Sequence, residues 1–246
     1  MMSVSDIMAG LMFIFIITLA IFVVDFLVAS REQDEKLKQL NGIVSDLQEN
    51  DQMRRSLLED VKELLAKRSI EVDVDLEHGV LRLNENAIRF NTGSADLNTE
   101  QLERLAVVAE VLAEILPCYG DNQPNNGKCL EDTKGKVDSV FIEGHTDNVP
   151  IVGRLALKYK DNLALSSSRA MFTYREITTL QPVLVTMVNV SEQPIISVSG
   201  YGEGRPVPGH EYDYPKNDPI NRRIDFRLIM TPPTTTEAQK AMEGNF

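Results

Sequence analysis

The chain has 246 residues, a net charge of −12 at neutral pH, no tryptophan and 25% charged residues. An acidic balance that no basic cluster relieves argues against nucleic acid as a partner. The three histidines (78, 145 and 210) and the two cysteines (118 and 129) form no C-x-x-C or H-x-x-x-H spacing, so no metal site and no cofactor is expected.

The first element is apolar. Ile7 to Val24 carries no charge, and the run continues past Asp25 to Ala29. At about 1.5 Å per residue it covers roughly the 30 Å hydrocarbon core of a bilayer. A cleaved signal peptide would need a basic leader and a clear small-residue cleavage site. No Lys or Arg precedes Arg31, and Val28-Ala29-Ser30 is a weak match. Residues 1–29 therefore read as a short tail and a retained transmembrane helix in a membrane lipid environment. Asp6 stands just before the run and has two readings. It is either an N-terminal cap in the headgroup region, or a functional acid of the kind that marks an ion path. Asp25 reads as an interfacial residue at the far end.

Residues 30–69 form a charged, proline-free linker. Leu37, Leu40, Val44 and Leu47 fall at heptad spacing, and Leu58, Val61 and Leu65 resume the phase. Asp51 and Arg54 interrupt the seam. This pattern predicts a helix with a broken coiled-coil stripe and hence a homodimer.

From residue 70 to 231 the periods change. The segment EVDVDLEHGVLRL alternates around His78-Gly79 and predicts a hairpin. Asp73, Asp75 and Glu77 do not make a calcium loop, because the glycine falls one place late and no terminal Glu fits. Asn98 or Thr99 opens a helix whose apolar face is Leu102, Leu105, Val108, Ala109 and Leu112. Lys136–Glu143 is a strand, Ser166–Leu180 a second helix, and Pro194–Ser199 and Ile224–Ile229 further strands. The fold class is α+β: a mixed sheet with helices on one face, preceded by the single membrane helix and the helical linker. Residues 232–246 are a tail. Cys118 and Cys129 bracket CYGDNQPNNGKC, a loop rich in Asn and Gly. A disulfide is predicted if that loop lies in an oxidising compartment, the alternative being two unpaired thiols. No grouping of Ser, His and Asp or of Cys and His has a catalytic context, so an enzyme is not expected.

Three stretches then carry a resemblance: Gly144-His145-Thr146-Asp147, Asn162 through Ala170 (NLALSSSRA), and Asn221-Arg222-Arg223-Ile224. Together with FNTGSADL and SGYGEGRPV they resemble the OmpA-like, peptidoglycan-binding domain over about residues 70–230. The resemblance implies that Asp147 and Arg169 clasp the diaminopimelate of the peptide stem, with Thr146 and Asn162 beside them. Arg222 and Arg223 are expected to divide, one facing the site and one paired structurally. A zwitterionic ligand suits an anion plus a bidentate cation at fixed separation. Gly200 to Gly204 (GYGEG) is not a nucleotide loop, since no helix opens there and Pro206 follows. Both Asp147 and Arg169 are expected to be dispensable to the fold.

With an N-terminal membrane helix ahead of it, the layout also resembles the MotB-type stator subunits of ion-driven motors. Within these, the layout resembles that of the B subunit of the Zorya anti-phage system (ZorB). SVSDIMAGLMFIFI matches the start of that family, which implies that Asp6 is the ion carrier. Ser5 and Gly10 depart from the family's usual residues. The resemblance implies a multi-helix MotA-like or ZorA-like membrane partner, a homodimer, and an inner-membrane protein with its C-terminal domain in the periplasm.

Overall fold

The computed structural model describes residues 4–83, 87–88, 90–124, 127 and 129–233, the side chains of residues 4–6 being left aside. Helix α1 spans Val4–Lys67 without interruption. The chain divides within it into two units, residues 1–48 with 233–246, and residues 49–232.

In the first unit the helix carries an 18-residue window of mean hydropathy 3.0, long and apolar enough to cross a membrane. Its Ile, Leu, Phe and Val side chains between Ile7 and Val28 are exposed all round. A helix with no polar face needs lipid or a partner against it. Thr18 turns its hydroxyl back to the carbonyls of Ile14 (3.0 Å) and Phe15 (2.9 Å), which satisfies its one polar group within the helix. Leu37, Leu40, Val44 and Leu47 are also exposed.

The second unit holds a five-stranded sheet. β1 (Asp73–Asp75), β2 (Val80–Leu83), β3 (Val137–Gly144), β4 (Ile196–Gly200) and β5 (Ile224–Met230) are ordered β1-β2-β5-β3-β4. β3 and β4 run parallel, and the other pairs are antiparallel. Helix α2 (Thr99–Ile115) and helix α3 (Asn162–Leu180) pack on the sheet, followed by the short α4 (Val183–Thr186). Asn98 is the cap of α2: its side chain accepts from the Gln101 N–H at 2.9 Å and the Gln101 side chain accepts from the Asn98 N–H at 3.3 Å. α3 starts four residues earlier than the sequence suggests. Asp161 caps it by accepting from the Ala164 N–H at 2.8 Å, so Asn162 is its first residue.

Alternation decides which side chains face the helices. Val140 and Ile142 of β3, Ile224, Phe226 and Leu228 of β5, and Leu81 and Leu83 of β2 meet Leu105, Val108, Leu112, Ala170 and Ile177 in one core. The end of α1 joins it. Leu58, Val61 and Leu65, expected as the second half of a coiled-coil stripe, are buried in this core together with Leu57. Each buried leucine is worth roughly 1.5–3 kcal/mol relative to exposure, so this turn of helix is fastened to its own domain and is closed to a second chain. Asp51, expected in the seam, instead takes both Arg54 and Arg55.

Cys118 and Cys129 form a disulfide with a Cα–Cα distance of 5.1 Å. Asp75, one of the three acids set aside as a calcium loop, accepts from the His78 N–H at 3.0 Å and closes the β1–β2 turn.

Candidate functional site

The C-terminal end of β3 positions the site. β3 runs out at Gly144, and His145, Thr146 and Asp147 follow as an irregular segment held by residues that flank β4 and β5. The His145 N–H donates to the Arg223 carbonyl at 3.1 Å, and the Thr146 N–H donates to the Gly202 carbonyl at 2.9 Å. The second turn of α3 comes against this end because Gly144 has no side chain. A Cβ there would stand 2.1 Å from the Ser166 carbonyl oxygen. The Gly200 to Gly204 stretch completes the wall: the Gly202 N–H donates to the Ser166 hydroxyl at 2.8 Å, and Gly202 has φ +56°, a conformation glycine takes without strain.

Asp147, Arg169 and Arg222 are gathered here, all buried. Asp147 accepts from the Arg222 guanidinium at 2.8 Å. Arg222 also meets the Asn217 side chain, and its Nε is buried without a partner. The Thr146 hydroxyl is likewise buried and unpartnered. Arg169 is fully enclosed. Its Nε donates to the Ser94 carbonyl at 2.9 Å, one terminal nitrogen donates to the His145 carbonyl at 3.1 Å, and the other to the Asn91 carbonyl at 3.2 Å. Its plane lies over the Phe90 ring, 5.1 Å from the centroid. Burial, with the like charge of Arg222 adding, lowers the Arg169 pKa to about 10, so it stays charged at neutral pH. Asn162 donates to the Val149 carbonyl at 3.0 Å and ties down the loop that follows Asp147.

Two guanidiniums against one carboxylate leave this pocket with a net charge of about +1. Each of the two terminal nitrogens of Arg169 has one N–H beyond its carbonyl bond, and the Arg222 Nε adds another donor. Such a set has the chemistry to suit a carboxylate, and among the described residues of this pocket Asp147 is the anion that suits an ammonium. The sequence did not show that Arg169 rests on carbonyls from the FNTGSADL loop, on Phe90 below it, or that Asn217 backs Arg222. The only signal was that loop's place in the family pattern.

Arg223 lies apart. It pairs with Asp225 through Nε at 3.1–3.2 Å and donates to the Arg205 carbonyl at 3.1 Å. A second polar cluster surrounds it. Arg227 is bidentate to Glu143 at 2.8 and 3.0 Å, and Arg82 reaches Asp225 at 3.3 Å. His145 lies between them, stacked on Tyr201. Among the described residues, Glu143, His145 and Asp225 bring ligand-type atoms within 4.8 Å of one another. Their carboxylates are already matched by Arg82, Arg205, Arg223 and Arg227. Four guanidiniums around two carboxylates make the surroundings cationic, which opposes a divalent ion.

The same surroundings hold His145 neutral. Burial first, then the nearby arginines, push its pKa from 6.5 down to about 2. The unfolded chain therefore binds a proton below about pH 6.5 that the folded chain refuses. The stabilisation is complete above that pH and is lost as pH falls through the window from 6.5 toward 2. Lowering the pH from 7 to 5 is expected to cost roughly 2 kcal/mol from this group alone. Denaturation midpoints at the two pH values would show it, and His145→Gln should flatten that part of the slope. An equal slope in the variant would mean that other groups carry it.

Comparison by sequence finds no matching family profile and no matching curated protein. Comparison by structure finds a MotB-like protein from Desulfovibrio vulgaris, 18% identical, with 75% of this chain and 98% of that chain covered at a TM-score of 0.51. The periplasmic domain of Helicobacter pylori MotB is 18% identical, with 68% of this chain and 85% of that chain covered at a TM-score of 0.43. The cell wall anchor of the T6SS from Pseudomonas aeruginosa is 17% identical, with 71% and 97% covered at a TM-score of 0.43. The first of these shares the fold of the mixed sheet and its helices.

Proposed function

We propose that this protein anchors a membrane complex to peptidoglycan by gripping the diaminopimelate of the peptide stem. The observation that carries the reading is the buried Asp147 with two guanidiniums beside it, an unpartnered Arg222 Nε and an unpartnered Thr146 hydroxyl. Diaminopimelate offers an ammonium and a carboxylate on one side chain, and this pocket has one acceptor anion and a surplus of bidentate donors for them. The chemistry is binding, not catalysis. Sedimentation of the full chain in detergent with purified peptidoglycan tests it. Wild type should pellet with the wall, and Asp147→Asn should stay in solution with its fold kept. Equal retention of the two would remove the site from the reading.

The anchor belongs, in this account, to the B-type stator subunit of an ion-driven motor, akin to MotB and to ZorB of anti-phage defence. The protein crosses the bacterial inner membrane once and holds its second unit in the periplasm. Asp6 carries the ion, its side chain lying outside the described residues. Two copies pair along Leu37, Leu40, Val44 and Leu47, whose exposure leaves them free for that contact. They sit within a ring of a multi-helix MotA-like or ZorA-like subunit. A second wall domain makes the second attachment effectively intramolecular. Each charge that crosses yields about 2.3 kcal/mol per 100 mV, which turns the ring only if the pair is held still by the wall. Asp6→Asn, expressed with the multi-helix subunit, is expected to abolish ion flux while both proteins stay in the membrane. Unchanged flux would leave a passive tether between membrane and wall.

A further inference from the structure

The segment from Val207 to Asn221 is a long excursion without helix or strand until the 3-10 turn at Pro219–Asn221, yet it is pinned at many points. Asn221 accepts from the Val207 N–H at 2.8 Å and donates to the His210 carbonyl at 2.9 Å. His210 meets Asp218 at 2.8 Å, and Asp218 accepts from the Ile220 N–H at 3.0 Å. The centre is held by Asn148, the residue directly after Asp147. Its side chain donates to the carbonyls of both Tyr212 and Tyr214 at 2.8 Å and accepts from the Lys216 N–H at 2.8 Å. Asn217, one residue on, contacts Arg222 of the buried pocket. The segment is thus tied to the residue after Asp147 and, through Asn217, to Arg222 of the pocket.

What this scaffold displays is aromatic. His210, Tyr212 and Tyr214 form a chain of rings with centroids 6.4 and 5.9 Å apart. The Lys216 ammonium lies 3.8 Å over the Tyr212 ring and occupies that face. Tyr214 is 61% exposed, whereas Tyr119 and Tyr159 are buried. An exposed aromatic side chain on a backbone tied to one side chain by three hydrogen bonds starts from a fixed base, so less freedom is lost when a ligand meets it.

We infer that Tyr214, with Tyr212 behind it, is a saccharide subsite that takes a ring of the glycan strand next to the stem held by Asp147, Arg169 and Arg222. This rests on the peptidoglycan reading above and extends it from the peptide to the sugar. The stem hangs from a polymer of neutral N-acetylated sugars, whose rings have a face of C–H bonds that stacks on an aromatic face, while the tyrosine hydroxyl suits the polar edge. The charge also fits. With Glu211 and Asp213 on the same segment and a net charge of −12 for the chain, an anionic surface is repelled and a neutral ring is not.

Calorimetric titration of the full chain in detergent, with a diaminopimelate stem tripeptide and with the same tripeptide carrying its disaccharide, tests the subsite. Wild type is expected to bind the disaccharide form about threefold to tenfold more tightly, the range a single aromatic contact supplies. Tyr214→Ala should bind both forms with the tripeptide's affinity, and Tyr214→Phe should keep most of the gain. A gain that survives Tyr214→Ala, or no gain in wild type while the tripeptide binds, overturns the inference and leaves the tyrosines to some other contact. Failure of the tripeptide itself to bind wild type would instead overturn the peptidoglycan reading.

Discussion

Arg169→Ala is expected to unfold the second unit, or to lower its Tm by roughly 10 °C, before any question of binding arises. Arg169 is completely buried, and among the described residues its guanidinium alone donates to the carbonyls of Ser94 and His145, while it shares the Asn91 carbonyl with the Ser94 N–H. Removing it strands the Ser94 and His145 carbonyls, at about 1–3 kcal/mol each where buried, and opens a cavity above Phe90. A total near 4 kcal/mol follows once partial relaxation is allowed for. The FNTGSADL loop would come free of the β3 end. Arg169→Lys keeps the charge, but one ammonium cannot span three carbonyls set around a planar fork, so it should recover only part of the loss. Thermal denaturation of the full chain in detergent reads this directly. A wild-type Tm for Arg169→Ala would show that the carbonyl network is not what holds the loop. Arg169 and Asp147 are therefore expected to differ in kind: the arginine's three carbonyl bonds tie it to the fold, whereas the sequence alone suggests that both are dispensable to it.

Gly144→Ala should be about as damaging, by a different route. The added Cβ would meet the Ser166 carbonyl oxygen at 2.1 Å and its carbonyl carbon at 2.8 Å. Both are main-chain atoms in a helix, so neither can rotate away, and α3 must lift from the sheet. Overpacking of a tight contact costs typically about 1–3 kcal/mol, and a clash with backbone falls at or beyond the upper end. Lifting α3 also moves Arg169 and Asn162, so the variant should lose wall retention together with stability. Gly153→Ala is the matched control for added bulk, since nothing stands within 4 Å of that Cβ, although its φ of +62° carries some strain of its own. If Gly144→Ala melts no lower than Gly153→Ala, the close approach of helix and sheet is not rigid.

Much of this was legible locally. Alternation gave the strands, and the apolar faces of α2 and α3 followed a helical period. Asn98 and the Cys118–Cys129 loop spoke within a dozen residues of themselves. What could not be read was the identity of distant partners. The spacing of Leu58, Val61 and Leu65 announces an apolar face on a helix, and that face is the same whether a second chain or the chain's own sheet covers it. Only the fold assigns it to the core, while Leu37 to Leu47 at the same spacing stay exposed. Asp147 was recognisable from its motif. Its ion pair with Arg222, 75 residues away, was not, because ion pairs leave no periodic trace. His145 looked like a motif letter. Its burial among four arginines depends on β5 pairing with β3 on one side and β2 on the other, which no local pattern around residue 145 encodes.

The pocket around Asp147, as proposed above, reads an ammonium and a carboxylate on one side chain. Its most direct test is the affinity of the full chain for two stem peptides that differ at one residue, diaminopimelate or lysine. Both side chains carry the ammonium, and only diaminopimelate adds the carboxylate for Arg169 and Arg222. The diaminopimelate peptide is expected to bind at least about tenfold more tightly, as loss of a buried charge-assisted pair requires. Equal affinity for the two peptides would contradict it.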